Sequence, residues 1–205
     1  MATTLDIINS ALSEAGARPI ENVDTPSSTT EKVAASIYPQ IFKTLLGSFN
    51  WPFASTWARL ELEEDEDQYH PEYNRFVDLP ADLVSLWEVR AARGWQIDEY
   101  EVLDKHDGTG KVLASNHHVI AVNYTREVLT DSYSQTYTQA LIFKLAASLS
   151  VPLATNDSRR AELLRDANYW ERMARNEASK QKRSRSALGA NNSAILQARN
   201  GYGPI

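Results

Sequence analysis

The sequence predicts an α+β fold, a helical bundle built from both ends of the chain with an inserted antiparallel β-meander and a flexible C-terminal tail. Three observations predict it. Apolar residues recur at helical spacing in 1–54 and 131–186, alternate in the manner of strands in 55–130, and become sparse in 187–205. We therefore expect a helical lobe (1–54 and 131–186), an antiparallel β lobe (55–130) and a tail (187–205).

The N-terminal region predicts two helices. The first ends at Gly16 and has the apolar positions Leu5, Ile8, Leu12 and Ala15. Ser28 and Glu31 have the spacing of a capping box at the start of the second helix, which ends at Gly47. Its buried stripe would be Ala34, Ile37, Ile41 and Leu45. Pro39 lies inside this run and is expected to kink or split the helix.

The middle of the chain predicts strands. Segments with strand-like alternation or extended character occupy 57–62, 75–80, 83–90, 95–103, 111–114 and 118–125. A DGTG turn at 107–110 and Asn116 separate the last three of them. Short strands joined in this way predict an antiparallel meander.

The last third of the chain predicts two more helices. Ser132 and Gln135 have capping-box spacing, and the helix behind them is apolar on most sides, with Tyr137, Leu141, Leu145 and Leu149 on one face. Such a helix belongs at the centre of a bundle. A final helix starts near Asp157 and has the apolar positions Leu163, Ala167, Trp170 and Ala174.

Composition excludes several classes of function. The chain has a net charge of −6, which argues against wrapping nucleic acid, and it has no cysteine, which excludes disulfides and thiolate zinc sites. No stretch has the length of uninterrupted apolar residues that a membrane span needs, so we expect a soluble protein without a membrane anchor.

No motif predicts catalysis. The nucleotide-binding, zinc-protease and serine-hydrolase motifs are absent from the sequence. The acidic run at 61–67 lacks the spacing of a calcium loop, and we expect a solvated loop there. His117 and His118 would point to opposite faces of a strand. The sequence therefore predicts no catalytic, metal or cofactor site, and a protein that is not an enzyme.

Four segments resemble a known family. Residues 8–20 (INSALSEAGARPI), 37–54 (IYPQIFKTLLGSFNWPFA), 75–90 (RFVDLPADLVSLWEVR) and 140–164 (ALIFKLAASLSVPLATNDSRRAELL) are similar to tail tubular protein A, the head-to-tail adaptor of short-tailed bacteriophages. The WPFA corner is the most specific of these pieces. We expect a structural aromatic corner there, in which Trp51, Pro52, Phe53 and Trp57 join the second helix to the first strand and the tryptophans and Phe53 are largely buried.

The resemblance implies a structural virion protein that assembles in the host cytoplasm and resides in the neck of the tail. It would form a dodecameric ring with copies of itself, bind the portal protein and the tail nozzle protein, and have tail fibres as a further candidate partner. Double-stranded DNA would pass through the ring without specific binding, and the net charge of −6 suggests an acidic channel. The alternatives are a head-completion protein of a long-tailed phage and a tail-associated cell-wall glycan hydrolase.

A basic stretch near the C-terminus is the candidate portal-docking element. It contains Arg175, Lys180, Lys182, Arg183 and Arg185, and the following tail adds the sparse apolar anchors Ile195, Leu196 and Tyr202. Basic side chains there would bind carboxylates of the portal ring, and the segment would order on assembly. The alternatives are a solvated helix end and a tail without a role.

Overall fold

The protein has mixed α and β structure in the computed structural model, which describes residues 3–65, 69–91, 96–153 and 157–181. These residues form four α-helices and two small antiparallel sheets. The helices are α1 (Thr4–Glu14), α2 (Thr29–Gly47), α3 (Gln135–Leu149) and α4 (Asp157–Gln181). The strands are β1 (Ser55–Glu61), β2 (Arg75–Asp78), β3 (Leu83–Ala91), β4 (Glu101–Asp104), β5 (Lys111–Ser115) and β6 (Val119–Arg126).

The end of α1 and the start of α2 lie where the sequence predicts them. Gly16 follows α1 with a φ of +76°, a conformation that favours glycine. The capping box of α2 is present, with Ser28 accepting from the N–H of Glu31. Pro39 does not split α2. It is exposed, so water can replace the helical hydrogen bond that its missing N–H removes.

The α3 helix lies at the centre of the helical part. It packs against α1, α2 and α4, and eight of its fifteen residues are buried. Its N-cap is Ser134, whose hydroxyl accepts from the N–H of Tyr137, and not Ser132 as predicted. Ser132 instead ends a single 3₁₀ turn (Thr130–Ser132), which delays the start of the helix by two residues.

The predicted single meander is wrong. The strand orders are β1-β6-β3 in one sheet and β2-β5-β4 in the other, so β4 and β5 are the only described strands that are consecutive in the chain and paired with each other. The segment predicted as one strand over 95–103 is also interrupted. Gln96 makes an isolated bridge to Arg90, and regular pairing resumes only at Glu101. Trp95 lies outside the described residues.

Two larger cores hold these elements together. The helical core combines buried residues of all four helices with Trp51 and Ala54. The second core lies between the sheets and is formed by Leu62, Val89, Ile97, Leu113, Ile120, Val122 and Tyr124. The two parts meet where the amide of Asn50 donates to Asn123 Oδ1 at 2.6 Å and the hydroxyl of Ser85 donates to the Gly47 carbonyl at 3.2 Å.

Gly47 lies close to the Ser85 side chain at this junction. A Cβ at Gly47 would lie 2.9 Å from the Ser85 hydroxyl oxygen, which is closer than ordinary van der Waals contact. A side chain at Gly47 would therefore require the Ser85 hydroxyl to move, which would disturb its hydrogen bond to the Gly47 carbonyl.

Replacing Glu31 should remove a pH-dependent contribution to stability. Its carboxylate accepts from the N–H groups of Ser27 and Ser28 at 2.7 and 2.9 Å and from the Ser27 hydroxyl at 2.9 Å. Hydrogen bonds from the backbone of Ser28 and Ser27 lower the pKa of Glu31 to about 2. Because this value lies below that of the unfolded chain, the stabilisation is complete above the ordinary glutamate pKa and is lost as the pH falls toward 2.

We therefore expect Glu31→Gln to be less stable than wild type at pH 7, with a difference that shrinks steadily as the pH falls from 4.5 to 2. Urea unfolding at a series of pH values measures this. The exposed Glu21→Gln is the control and should track wild type throughout. A difference for Glu31→Gln that is independent of pH would contradict the assignment.

Candidate functional site

Trp51 occupies the centre of the predicted aromatic corner. It is fully buried, and its indole N–H donates to the Leu45 carbonyl at 3.1 Å. The rings of Phe49 and Tyr137 meet it edge-on, with centroids 5.1 and 5.0 Å away, and Phe53 lies 6.1 Å away. Phe53 and Pro52 are half-buried. The corner therefore connects the end of α2 to α3.

The prediction that Trp57 is largely buried is wrong, because 48% of its surface is exposed. Side chains alternate across a strand, and in β1 it is Ala58 and Leu60 that pack against the core between the sheets. Trp57 therefore lies on the opposite face of the strand. Closeness to Trp51 in the sequence does not bring Trp57 into the same core.

Trp57 instead belongs to an exposed aromatic patch on the outer face of the β1-β6-β3 sheet. Trp87 of β3 is 38% exposed, and its indole N–H donates to the Thr125 hydroxyl at 2.7 Å. The Arg90 guanidinium lies 5.0 Å from the centre of the Trp57 ring. Exposed tryptophans held by a hydrogen bond and a cation–π contact are typical of protein-binding surfaces.

Arg175, the first of the predicted docking residues, is engaged within the protein. Its guanidinium donates to Glu171 one helical turn earlier and to the Ser48 hydroxyl at 3.3 Å, and it lies over the ring of Phe49. Glu171 also pairs with Lys144 of α3 at 2.6 Å. Arg175 therefore connects α4 to the segment that follows α2, and Glu171 connects α4 to α3. The Arg175 side chain remains 40% exposed, and its role in docking a partner stays a prediction.

The remaining docking candidates are not gathered into a site. Lys180 is exposed near the end of α4. Lys182, Arg183, Arg185, Ile195, Leu196 and Tyr202 lie outside the described residues.

The outer face of α4 is a surface that the sequence analysis missed. We define it by Arg165, Tyr169, Arg172 and Met173, all of which are exposed. A groove beside it is lined by Arg165, Asn168, Glu171, Arg172 and Arg175. The spacing of four and three residues between Arg165, Tyr169 and Arg172 is the sequence signal for this face. Arginine, tyrosine and methionine are the residue types enriched in protein interfaces.

An acidic depression lies on the β part of the chain. It is lined by Glu64, Asp65, Tyr69, His70, Tyr73, Asn74 and Phe76. The Tyr69 side chain is almost fully exposed, whereas His70 stacks on Tyr73 and contacts Glu101 at 3.0 Å. Burial, and then the negative charges of Glu72, Glu101 and Glu99, raise the pKa of Tyr73 above its ordinary value. The depression therefore combines negative charge with aromatic surface.

In the part of the chain that the structure describes, no three His, Cys, Asp or Glu side chains come close enough together to hold a metal ion. Within the same ranges, no helix is long and apolar enough to cross a membrane.

Comparison with protein-family models and with curated proteins gives no match for this chain. The function is therefore indicated only by the surfaces described above and by the short motifs in the sequence.

Truncation of Trp51 should destabilise the protein severely. We expect Trp51→Ala to lower the free energy of unfolding by about 3–5 kcal/mol, because a large, fully buried ring is lost from the helical core. Trp57→Ala is the matched control, and its half-exposed ring predicts a loss below about 1 kcal/mol. Urea unfolding of both variants measures the difference. Equal losses would contradict the placement of the two rings.

Removal of the Glu171 charge should weaken the attachment of α4. Burial raises the pKa of this carboxyl, but the hydrogen bond and charge of Lys144 and the charge of Arg175 outweigh it, and the pKa is lowered overall. We expect Glu171→Gln to lose about 2 kcal/mol at pH 7, since two cations lose their counter-charge. The loss should diminish below the ordinary glutamate pKa.

Glu162→Gln provides the control on the same helix. Glu162 pairs with Arg159 at 3.3 Å, but its side chain is 57% exposed, so its removal should cost less than about 0.5 kcal/mol. Urea unfolding at pH 7 and pH 3 compares the two variants. Equal effects would show that the Glu171 contacts do not fasten α4.

Proposed function

We propose that this protein is a structural subunit of a phage virion, a head-to-tail adaptor that assembles into a ring between the portal and the tail nozzle. Two separate exposed surfaces of the protein support this proposal. The aromatic patch of Trp57, Trp87 and Arg90 lies on a sheet, and the outer face of α4 lies on the helical part. A ring subunit contacts a neighbour on each side as well as the structures above and below it, and therefore needs several binding surfaces.

The sequence motifs support the same assignment. The segment 37–54, which resembles the adaptor family most specifically, forms the end of α2 and the corner around Trp51. In this proposal the helices from both ends of the chain form a bundle, the strands form a lobe attached to it, and the basic segment from Arg175 leads into a flexible tail that docks on the portal. The protein acts by binding and not by catalysis.

The proposal includes an acidic DNA channel, which the net charge of −6 supports. Residues 55–130 contain sixteen acidic and seven basic residues. Carboxylates in the channel would repel phosphates, so DNA would pass through the ring without the drag that each neutralised phosphate adds.

Assembly with the portal tests the proposal. We expect the purified protein to form rings on portal complexes, visible by electron microscopy, and a variant that lacks residues 187–205 to bind portal at least about tenfold more weakly at equal salt. A variant with these 19 residues in scrambled order controls for length and composition. Absence of any complex between the full chain and portal rings would overturn the adaptor function, and full binding by the truncated chain would remove the docking role of the tail.

A further inference from the structure

The β1 strand has one edge that pairs with β6 and one edge that pairs with no strand in the described part of the chain. The Arg126 N–H donates to the Ala54 carbonyl at 3.0 Å, and the Leu62 N–H donates to the His118 carbonyl at 2.8 Å. Because hydrogen-bonded residues alternate along an antiparallel pair, the backbone groups of the even-numbered residues of β1 face β6. The odd-numbered residues turn theirs to the free edge, and those without a backbone partner among the described residues are Trp57, Arg59 and Glu61.

The outer edges of the other described strands are covered or short. The Ile97 N–H donates to the Val89 carbonyl at 2.9 Å and covers part of β3, which also has register shifts. Glu63 bridges to Phe76 and covers part of β2, and β4 has only four residues. Proteins usually cover, shorten or distort a strand edge to prevent pairing with another chain. The seven-residue β1, which pairs with β6 without a register shift, has none of these protections within the described ranges.

The exposed side chains of β1 are complementary to a second β1 strand in antiparallel orientation. When the whole strand pairs with itself, Trp57 of each copy lies opposite Arg59 of the other copy. Arg59 then approaches the Trp57 ring from the side of β1 away from Arg90, so that the half-exposed ring gains a second cation–π contact. Ser55 lies opposite Glu61 in this register. The exposed contact of Arg59 with Glu61 of its own chain, at 3.8 Å, lies along the same strand and is retained.

The small side chain of Ala58 favours this register. Ala58 is the central residue of β1 and would face Ala58 of the other copy. Such a pair is not hydrogen-bonded, and its Cα atoms lie only about 4.5 Å apart, which the smallest side chain of the strand permits. A register centred one residue later would place two Arg59 guanidinium groups opposite each other, and like charges in that position destabilise a sheet.

We propose that two copies of the free protein pair through β1 in antiparallel orientation, which joins two three-stranded sheets into one continuous sheet. The partner is a second copy because the groups that match Trp57 and Arg59 are present on β1 itself. This inference goes beyond the proposed function. An interface of one surface with itself stops at two copies and cannot build a ring, so the pairing belongs to the protein before it assembles.

Cysteine cross-linking tests the register directly, because the chain has no cysteine of its own. We expect Ala58→Cys to form a disulfide-linked dimer under mild oxidation, measured by non-reducing electrophoresis. A Cα separation of about 4.5 Å lies within the range that a disulfide spans. Thr56→Cys is the matched control. Thr56 would face Leu60 of the other copy, so Thr56→Cys should form a dimer only when it is mixed with Leu60→Cys.

Sedimentation velocity over a range of protein concentrations measures the association without a cross-link. We expect wild type to form a dimer that does not grow further, and Arg59→Glu to associate at least about tenfold more weakly. The substitution removes the contact with Trp57 at two symmetric places and sets a carboxylate beside Glu61. Arg18→Glu makes the same change in charge at an exposed position of the N-terminal part and should dimerise as wild type does.

The outcomes separate this inference from the adaptor function. A wild-type chain that stays monomeric up to about 1 mM, or equal cross-linking by Ala58→Cys and Thr56→Cys alone, overturns the inference, and the portal experiment still decides the adaptor role. A full chain that is monomeric, together with a dimer of the chain lacking 187–205, would assign the edge to the tail and also overturn it. Dimerisation through β1 without any portal binding would retain the inference and overturn the adaptor function.

Discussion

The α3 helix has apolar side chains around most of its circumference, and all of them have to be kept from water. The other helices are arranged to do so, because α1, α2 and α4 each pack against it. Tyr137 near its start meets Trp51, which fixes where α2 ends and the strands begin. Glu171 and Lys144 hold α4 against its other side. The positions of the corner and of the outer face of α4 both follow from this single buried helix.

Local sequence features predicted the helices well and the sheets poorly, for one physical reason. Helix caps, glycine ends and apolar spacing depend on residues within a few positions of each other, so the ends of α1 and the capping box of α2 could be predicted. Strand pairing depends on distant residues. β6 lies between β1 and β3 although β1 precedes it by about sixty residues, and no local signal specifies that order. Nearness to Trp51 in the sequence does not indicate on which face of β1 Trp57 lies, and the face opposite Ala58 and Leu60 leaves its ring exposed.

The candidate binding residues show the same difference between what local sequence indicates and what distant contacts decide. The basic stretch was visible as a charge run, but the run did not reveal that Arg175 is held by Glu171 and Ser48. Charge in a sequence marks a region, and only the fold shows which cations already have a partner. Arg165 and Arg172, which do not stand in a run, are among the cations of α4 that are exposed. An isolated exposed arginine can therefore be more available for binding than one, such as Arg175, that has partners within the protein.

The helical core has a further consequence for the order of events during synthesis. Two of its helices, α1 and α2, are synthesised first, whereas α3 is complete only when translation has reached Leu149. Until α3 has been synthesised, the buried face of α1 lacks its partner, because that face (Ile7, Ile8 and Leu12) packs in the same core as α3. All six strands are translated between α2 and α3. Nascent chains that stop within the strands would expose this apolar surface and would be substrates for chaperones. The native helical core can close only when α4 has also been translated, because Leu163, Ala174 and Ala178 belong to it.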